Sequence, residues 1–438
     1  MQFLLLLQVC LLGLGLITCR RRCKCNAGSR PVAGSRRIEC IRECQLVNVV
    51  CEKLEVEDGV QKCHPVDPCK AAKCQVKEKC RVENGEAVCV PEATGTCWAL
   101  GDPHYHTFDG FNFNFQGTCK YVISKTCGNL DGLVPFSVTE RNDNRGNTAV
   151  SFVREVDVSV YGYNIILLKN QVGRVMVDGV LLNLPVQLGE EQGKVSVSQR
   201  GHTAVIETDF GLSVSYDWNS ELVIKLPSSY YTSVCGLCGN FNGNNGDELQ
   251  NPAGKAVSSV KDWGKSWQTP DKDEKLPCWD TCEKNCPTCD GNQKKLYETD
   301  AFCGGLVAKT NNVFKPCHGK LDPQAFMNNC VYDMCLNKGD KKMLCQALAS
   351  YSRQCRGEGI IIKDWREKFG CPMSCQRHSH YEICTSPCQP SCPFPDQKSP
   401  CPGACVEACV CDKGYVLSAG VCVPAKSCGC VCARPLGW

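Results

Sequence analysis

The chain has 438 residues, forty of them cysteine and seven histidine, with 49 Lys and Arg against 46 Asp and Glu for a net charge of +3. That length allows two to four domains at roughly 100–200 residues each. So many cysteines mark a disulfide scaffold made in an oxidising compartment; balanced charge argues against nucleic acid or an anionic membrane as partner, and the few histidines against zinc-finger arrays.

In chain order, Phe3 to Thr18 is an apolar run broken only by Gln8, the length of a signal-peptide core, so residues 1–19 are expected to be a signal peptide of a secreted protein. Residues 20–92 follow as a cysteine-rich region. Its last part, Pro68 to Glu92, reads as a small follistatin-like or trypsin-inhibitor-like hairpin with Asn84-Gly85 at the turn.

Between Cys127 and Cys235 there is no cysteine, so this stretch must fold around an ordinary apolar core. Val156, Val158 and Val160 alternate with polar residues, as do Leu212, Val214 and Tyr216, and Asp178-Gly179 separates two apolar runs. This is the pattern of short antiparallel strands in a β-sandwich. From about Leu296 the period becomes helical: Leu344, Leu348, Tyr351 and Cys355 share one helix face, and Asp322-Pro323 supplies an N-cap and first helical position. After Cys371 the chain is rich in Pro and Cys with almost no periodicity, and disulfides must replace a core.

Two stretches carry chemistry. The first, "CWALGDPHYHTFDG" (Cys97 to Gly110), holds an Asp102-Pro103 bond directly before His104. An Asp carboxyl can attack its own carbonyl carbon and expel a proline nitrogen, which is readily protonated; His104 is placed to supply a proton and Gly101 to permit unusual backbone geometry. The second, "CGLCGNFNGNNGDEL" (Cys235 to Leu249), carries side-chain oxygens at Asn240, Asn242, Asn244, Asp247 and Glu248, interleaved with glycines. Such a loop suits a hard cation, although a glycine-rich turn using Asn for left-handed conformations has the same composition.

These two stretches, about 125 residues apart, resemble a von Willebrand factor type D domain. The helical block with "FMNNCVYDMC" and "WREKFGC" resembles the eight-cysteine module that follows such domains. The ten cysteines from Cys375 to Cys428 are similar to a trypsin-inhibitor-like module. The resulting layout is 95–278 for the type D domain, 296–372 for the eight-cysteine helical module, 375–430 for the trypsin-inhibitor-like module and 431–438 for a tail. The expected fold is therefore a multidomain, disulfide-rich chain: an antiparallel β-sandwich, a stapled helical module and a cysteine-rich, core-poor module.

The resemblance implies a calcium ion on the Asn240–Glu248 loop with Asp102 as a further ligand, Asn244 giving its backbone carbonyl. It also implies cleavage of the Asp102–Pro103 bond, since Gly101, Asp102, Pro103 and His104 match all four positions of the family's self-cleaving motif. The two roles of Asp102 would then compete, and removing calcium would speed the cut. Cys97, Cys119, Cys127, Cys235 and Cys238 are disulfide candidates, the last two bonded to separate partners rather than to each other. His104 and His106, two apart on a strand, lack a cluster that would complete a zinc or copper site.

No turnover enzyme is expected, because nucleophile-elbow, zinc-protease and phosphate-loop motifs are all missing from the sequence. The functional expectation is a secreted, calcium-binding adhesion or mucus-matrix protein, with extracellular proteins or glycoproteins (mucin-like, immunoglobulin Fc or egg-coat) as partners. Disulfide-linked homo-oligomers through Cys430 or Cys432 are compatible with it. A protease inhibitor is the alternative, but the loop Pro402-Gly403-Ala404 offers no Lys or Arg to a trypsin pocket.

Overall fold

The structure, a computed structural model, describes residues 51–57, 60–65, 67–128, 130–147, 149–189, 193–270, 278–279, 289–392, 395 and 403–429. The signal-peptide expectation, the tail and Cys430 and Cys432 lie outside these residues. The chain divides into two compact units, 1–93 and 94–438.

In the first unit, β1 (Cys51–Glu57) pairs with β2 (Val60–Pro65) and β3 (Glu78–Glu83) with β4 (Glu86–Pro91), both antiparallel. Asn84 and Gly85 turn the second hairpin at φ 53° and 87°, the left-handed pair that a tight two-residue turn demands. Disulfides Cys69–Cys80 and Cys74–Cys89 staple it, in place of an apolar core.

The second unit opens with β5 (Thr94–Leu100), β6 (His104–His106), β7 (Asn112–Asn114), β8 (Lys120–Thr126), β9 (Phe136–Asp143), β10 (Phe152–Val160), β11 (Tyr163–Leu168) and β12 (Arg174–Val177). It continues through β13 (Val180–Asn183), β14 (Val186–Leu188), β15 (Val195–Arg200), β16 (Thr203–Thr208), β17 (Ser213–Tyr216), β18 (Leu222–Pro227) and β19 (Val234–Cys235). One sheet has seven strands in the order 13-12-11-10-9-8-19; the other has eight, 14-15-16-17-18-5-6-7. Every pairing within them is antiparallel.

The sequence alternation maps directly onto this sandwich. Val156, Val158 and Val160 are buried on β10 while Ser159 is exposed, and Leu212, Val214 and Tyr216 are fully buried opposite them. Each buried aliphatic side chain of this kind contributes about 1.5–3 kcal/mol to the interior. Asp178 and Gly179, at φ 48° and 83°, turn the β12–β13 hairpin. Disulfides Cys97–Cys238, Cys119–Cys278 and Cys127–Cys235 also tie the sandwich, with Cys97, Cys119 and Cys238 buried in the same core.

A short helix, Gly291–Tyr297, precedes the longer helices, and Cys289 is bonded to Cys335. Hydrophobic periodicity cannot register a seven-residue helix whose buried residue is Tyr297 alone. Helices Pro323–Leu336 and Lys341–Gly357 follow, the first capped by the Asp322 carboxylate accepting from Gln324 N–H. Leu344, Leu348, Tyr351 and Cys355 are all fully buried. Further disulfides join Cys303 to Cys330, Cys317 to Cys355 and Cys345 to Cys371.

The helical module does not have a core of its own. Its apolar interior is continuous with Trp98, Leu100, Val150 and Phe152 of the sandwich, where the Trp98 and Phe326 rings lie 5.7 Å apart. Arg353 crosses to the Glu221 carboxylate at 2.6 Å, and Arg366 grips Glu407 of the last module at 2.6 and 2.9 Å. That last module is two small hairpins, Ser379–Thr385 with Val406–Cys411 and Tyr415–Ser418 with Val421–Pro424. Disulfides between its described residues include Cys375–Cys409, Cys384–Cys405, Cys392–Cys428 and Cys411–Cys422.

Candidate functional site

The Gly101–His104 stretch forms the tight turn between β5 and β6, which pair Leu100 with His104. Gly101 has φ +63°, and a Cβ there would lie 2.5 Å from Asp333 Oδ2, so both conformation and space require glycine. Asp333 belongs to the Pro323–Leu336 helix, 229 residues further along the chain than His104.

His104 is held from both sides. Its Nε2 lies 2.7 Å from Asp333 Oδ1 and its Nδ1 2.8 Å from Asn114 Oδ1, and the Tyr332 ring stands edge-on to it at 5.6 Å. Burial acts to lower the His104 pKa, but the Asp333 carboxylate, the Asp102 charge and the Asn114 hydrogen bond together outweigh it, and the net direction is upward. With an acceptor at each nitrogen, the doubly protonated ring is the form this setting favours.

Asp102 is fully buried; its carboxyl oxygens make no close hydrogen bond, and the hydrogen-bonding groups beside them are the Gln116 side chain and the Ser151 backbone. Its backbone carbonyl accepts from Gln116 Nε2 at 3.2 Å. Burial first, and the Asp333 charge second, push its pKa well above the usual carboxylate range. Asp333 is also raised by burial, but His104 and the Asp102 backbone N–H stabilise its charged form. Both carboxyls are thus raised, Asp102 with the weaker stabilisation of its charged form.

The second site is the loop after β19. Glu248 is buried against Gly239, whose Cβ would come within 1.9 Å of its carboxyl, so only glycine fits there, at φ +81°. Asn240 Nδ2 and Asn242 Nδ2 donate to Asp247 at 3.1 and 2.9 Å. A carboxylate from outside the loop completes the group: Asp109 accepts from the Asn242 and Gly243 N–H groups at 2.9 and 2.8 Å. Burial, with the Asp109 and Asp247 charges adding to it, raises the Glu248 pKa to about 7. Asn240 Oδ1 and Glu248 Oε1 are buried without a hydrogen-bond partner among the described residues.

The two sites draw on different neighbours: Thr107, Asp109, Asn240 and Asp247 act on Glu248, whereas Asp333, His104, Gln116 and the Ser151 backbone act on Asp102. The aspartate that joins the loop is Asp109, seven residues further on in the same stretch. Its "FDG" context was visible in the sequence, but the contact across more than 130 residues was not.

The oxygen set fits a hard cation. Three carboxylates, two side-chain amides and unpaired buried oxygens converge on one loop, which is what calcium requires and what an ordinary turn leaves without purpose. Asn244 spends its side-chain oxygen on the Gly246 N–H, leaving its backbone carbonyl to serve.

Cys235 and Cys238 are each bonded elsewhere, to Cys127 and Cys97, so they form no CXXC disulfide. His106 stacks on Trp98 at 5.0 Å and bonds to Asn112 Oδ1, with no shared ligand linking it to His104. The close cluster Cys74, Glu78 and Cys89 has both its sulfurs in one disulfide. The inhibitor loop Pro402–Ala404 lies partly outside the described residues.

Comparison with known proteins finds the three modules that the sequence resembles. Residues 97–255 match the von Willebrand factor type D domain, 302–372 the C8 domain and 375–428 the trypsin-inhibitor-like cysteine-rich (TIL) domain. Human IgGFc-binding protein is 44% identical over 419 residues, 94% of this chain and 8% of that protein. Mouse alpha-tectorin is 41% identical over 364 residues, 83% of this chain and 17% of that protein, and human zonadhesin 35% over 364 residues, 83% and 13%. The chain thus spans less than a fifth of the curated relatives it matches.

Proposed function

Since residues 97–428 are a type D domain followed by C8 and TIL domains, we propose that this chain is an extracellular adhesion or mucus-matrix assembly, stabilised by calcium and cut once at Asp102–Pro103. Its partners are extracellular proteins or glycoproteins, as the name of the IgGFc-binding relative suggests. Disulfide-linked oligomers remain part of the proposal.

The observation that carries the calcium reading is the pair of orphaned buried oxygens, Asn240 Oδ1 and Glu248 Oε1, facing no donor in a loop that already gathers Asp109 and Asp247. Asp109, Asn240, Asn242, Asp247, Glu248 and the Asn244 carbonyl would hold the ion, which would neutralise three carboxylates and fix the loop.

The cleavage reading rests on the state of Asp102. A buried carboxyl whose only hydrogen-bonding neighbours are the Gln116 side chain and the Ser151 backbone has little solvation to give up before it attacks. Its oxygen bonds to the Asp102 carbonyl carbon, the bond to the Pro103 nitrogen breaks, and the carboxyl proton ends on that nitrogen. Water then opens the cyclic anhydride. Each chain reacts once, so this is processing rather than turnover.

Secretion from animal cells, followed by reducing and non-reducing gels after mild acid, tests the cleavage. Fragments that separate only on reduction are expected, because Cys97–Cys238 spans the cut. A single intact chain at all pH values would remove the cleavage reading. A melting temperature that ignores calcium would remove the other.

A further inference from the structure

We propose that Asp333, on the C8 helix, is the positioning residue for cleavage of the Asp102–Pro103 bond, so that the cut depends on a docked C8 domain. This rests on the cleavage reading above.

Three contacts place one C8 side chain on the reacting turn. Asp333 Oδ1 bonds to His104 Nε2 at 2.7 Å, with both side chains almost fully buried. Its carboxylate accepts from the Asp102 backbone N–H. Its Oδ2 sits where a Cβ on Gly101 would be, which fixes the turn before the scissile bond. The same carboxylate therefore touches the residue before Asp102, the backbone of Asp102 itself and the histidine after Pro103.

The position of Asp333 is in turn set by disulfides. Cys330 and Cys335 flank it on the same helix and are bonded to Cys303 and Cys289. The helix docks through Phe326 on Trp98, and Asn147 Nδ2 donates to the Leu336 carbonyl at 3.2 Å. Until the C8 disulfides form, nothing brings a carboxylate to this turn. Cleavage would follow C8 oxidation rather than precede it.

The chemistry needs a proton that can pass to the Pro103 nitrogen. The titratable groups facing the turn are Asp102 and His104 on the type D side and Tyr332 and Asp333 on the C8 helix. A second negative charge beside Asp102 favours its acid form, and the same charge raises the His104 pKa. Asp333 thus retains protons at the bond that must receive one, while Asn114 orients the far side of the ring. An ion pair that merely joined two domains would affect stability but not the acid dependence of the cut.

The test uses the full secreted chain with Asp333→Asn, following cleavage on reducing gels from pH 4 to 8, alongside thermal melting. At a given pH the cut should slow about tenfold, and its acid dependence should move about one pH unit lower. Cleavage that is unchanged or faster overturns the proposal, as does slower cleavage with an unmoved pH profile, which would make Asp333 structural. Wild-type protein that never cuts overturns the underlying reading as well, which separates the two failures. Should Asp333→Asn fail to be secreted, Asp333→Glu carries the same test. A displaced pH profile supports the role and a wild-type profile overturns it.

Discussion

Asp102 and Asp109 lie seven residues apart in one short stretch, yet they occupy two unlike environments. Asp102 is sealed beneath the C8 helix, with no close hydrogen bond to its carboxyl oxygens and with an imidazole and another carboxylate as its nearest charges. Asp109 is only half-buried and is spent on two backbone N–H groups of the Asn242–Gly243 loop. The first setting leaves a carboxyl reactive; the second turns one into part of a cradle. Chain neighbours acquire different chemistry because β6 and β7 carry them to different long-range partners.

The bond that most directly unites the two regions is Cys97–Cys238, which ties β5, just before the turn, to the start of the loop. Replacing both cysteines by alanine should cost about 3–5 kcal/mol of stability in chemical denaturation, because the closed loop is long. If both sites lost function equally, they would be one unit rather than two.

Glu140 shows what burial alone does to a carboxyl. It is fully buried, bonded to the Tyr105 hydroxyl at 2.5 Å, and raised from its ordinary 4.5 to about 7 by burial, against the lowering effect of Tyr105 and Asn142. The folded chain therefore holds this proton more tightly than the unfolded chain. Its contribution to stability is greatest below pH 4.5 and falls as pH rises towards 7, by up to about 3 kcal/mol. Glu140→Gln should flatten that decline in urea titrations across the range. An unaltered slope would mean that the interior carboxyl does not titrate there.

A smaller effect concerns docking. Arg353 reaches the buried Glu221 at 2.6 Å but is itself partly exposed. Arg353→Ala should cost about 1 kcal/mol in thermal melting and slow cleavage only slightly, since the apolar contact around Trp98 remains. Loss of cleavage comparable to Asp333→Asn would show that the C8 domain acts through docking alone.

Much of the architecture was legible because it is local. Alternation at Val156–Val160 and Leu212–Tyr216 reports a half-buried strand within a few residues, and the Leu344–Cys355 face reports a helix in the same way. Cysteine spacing and the "GDPH" motif carried the domain order by resemblance. The site contacts were not local. Asp333 was one more residue within "FMNNCVYDMC", where its acidity gave no hint of a partner on the opposite side of the unit. Asp109 was overlooked because the Asp-Pro bond nearby offered a more obvious aspartate, and only the crossing of the loop over β6 and β7 distinguishes the two.

The division of labour between the two aspartates can be measured in one experiment on the full secreted chain. Asp102→Asn and Asp109→Asn are compared for cleavage in mild acid and for the rise in melting temperature on adding calcium. The account predicts that Asp102→Asn stays intact and keeps its calcium response. Asp109→Asn should be cut at the wild-type rate with its calcium affinity reduced about tenfold or more. Loss of the calcium response in Asp102→Asn would contradict this, because a single carboxyl would then serve both the ion and the cut.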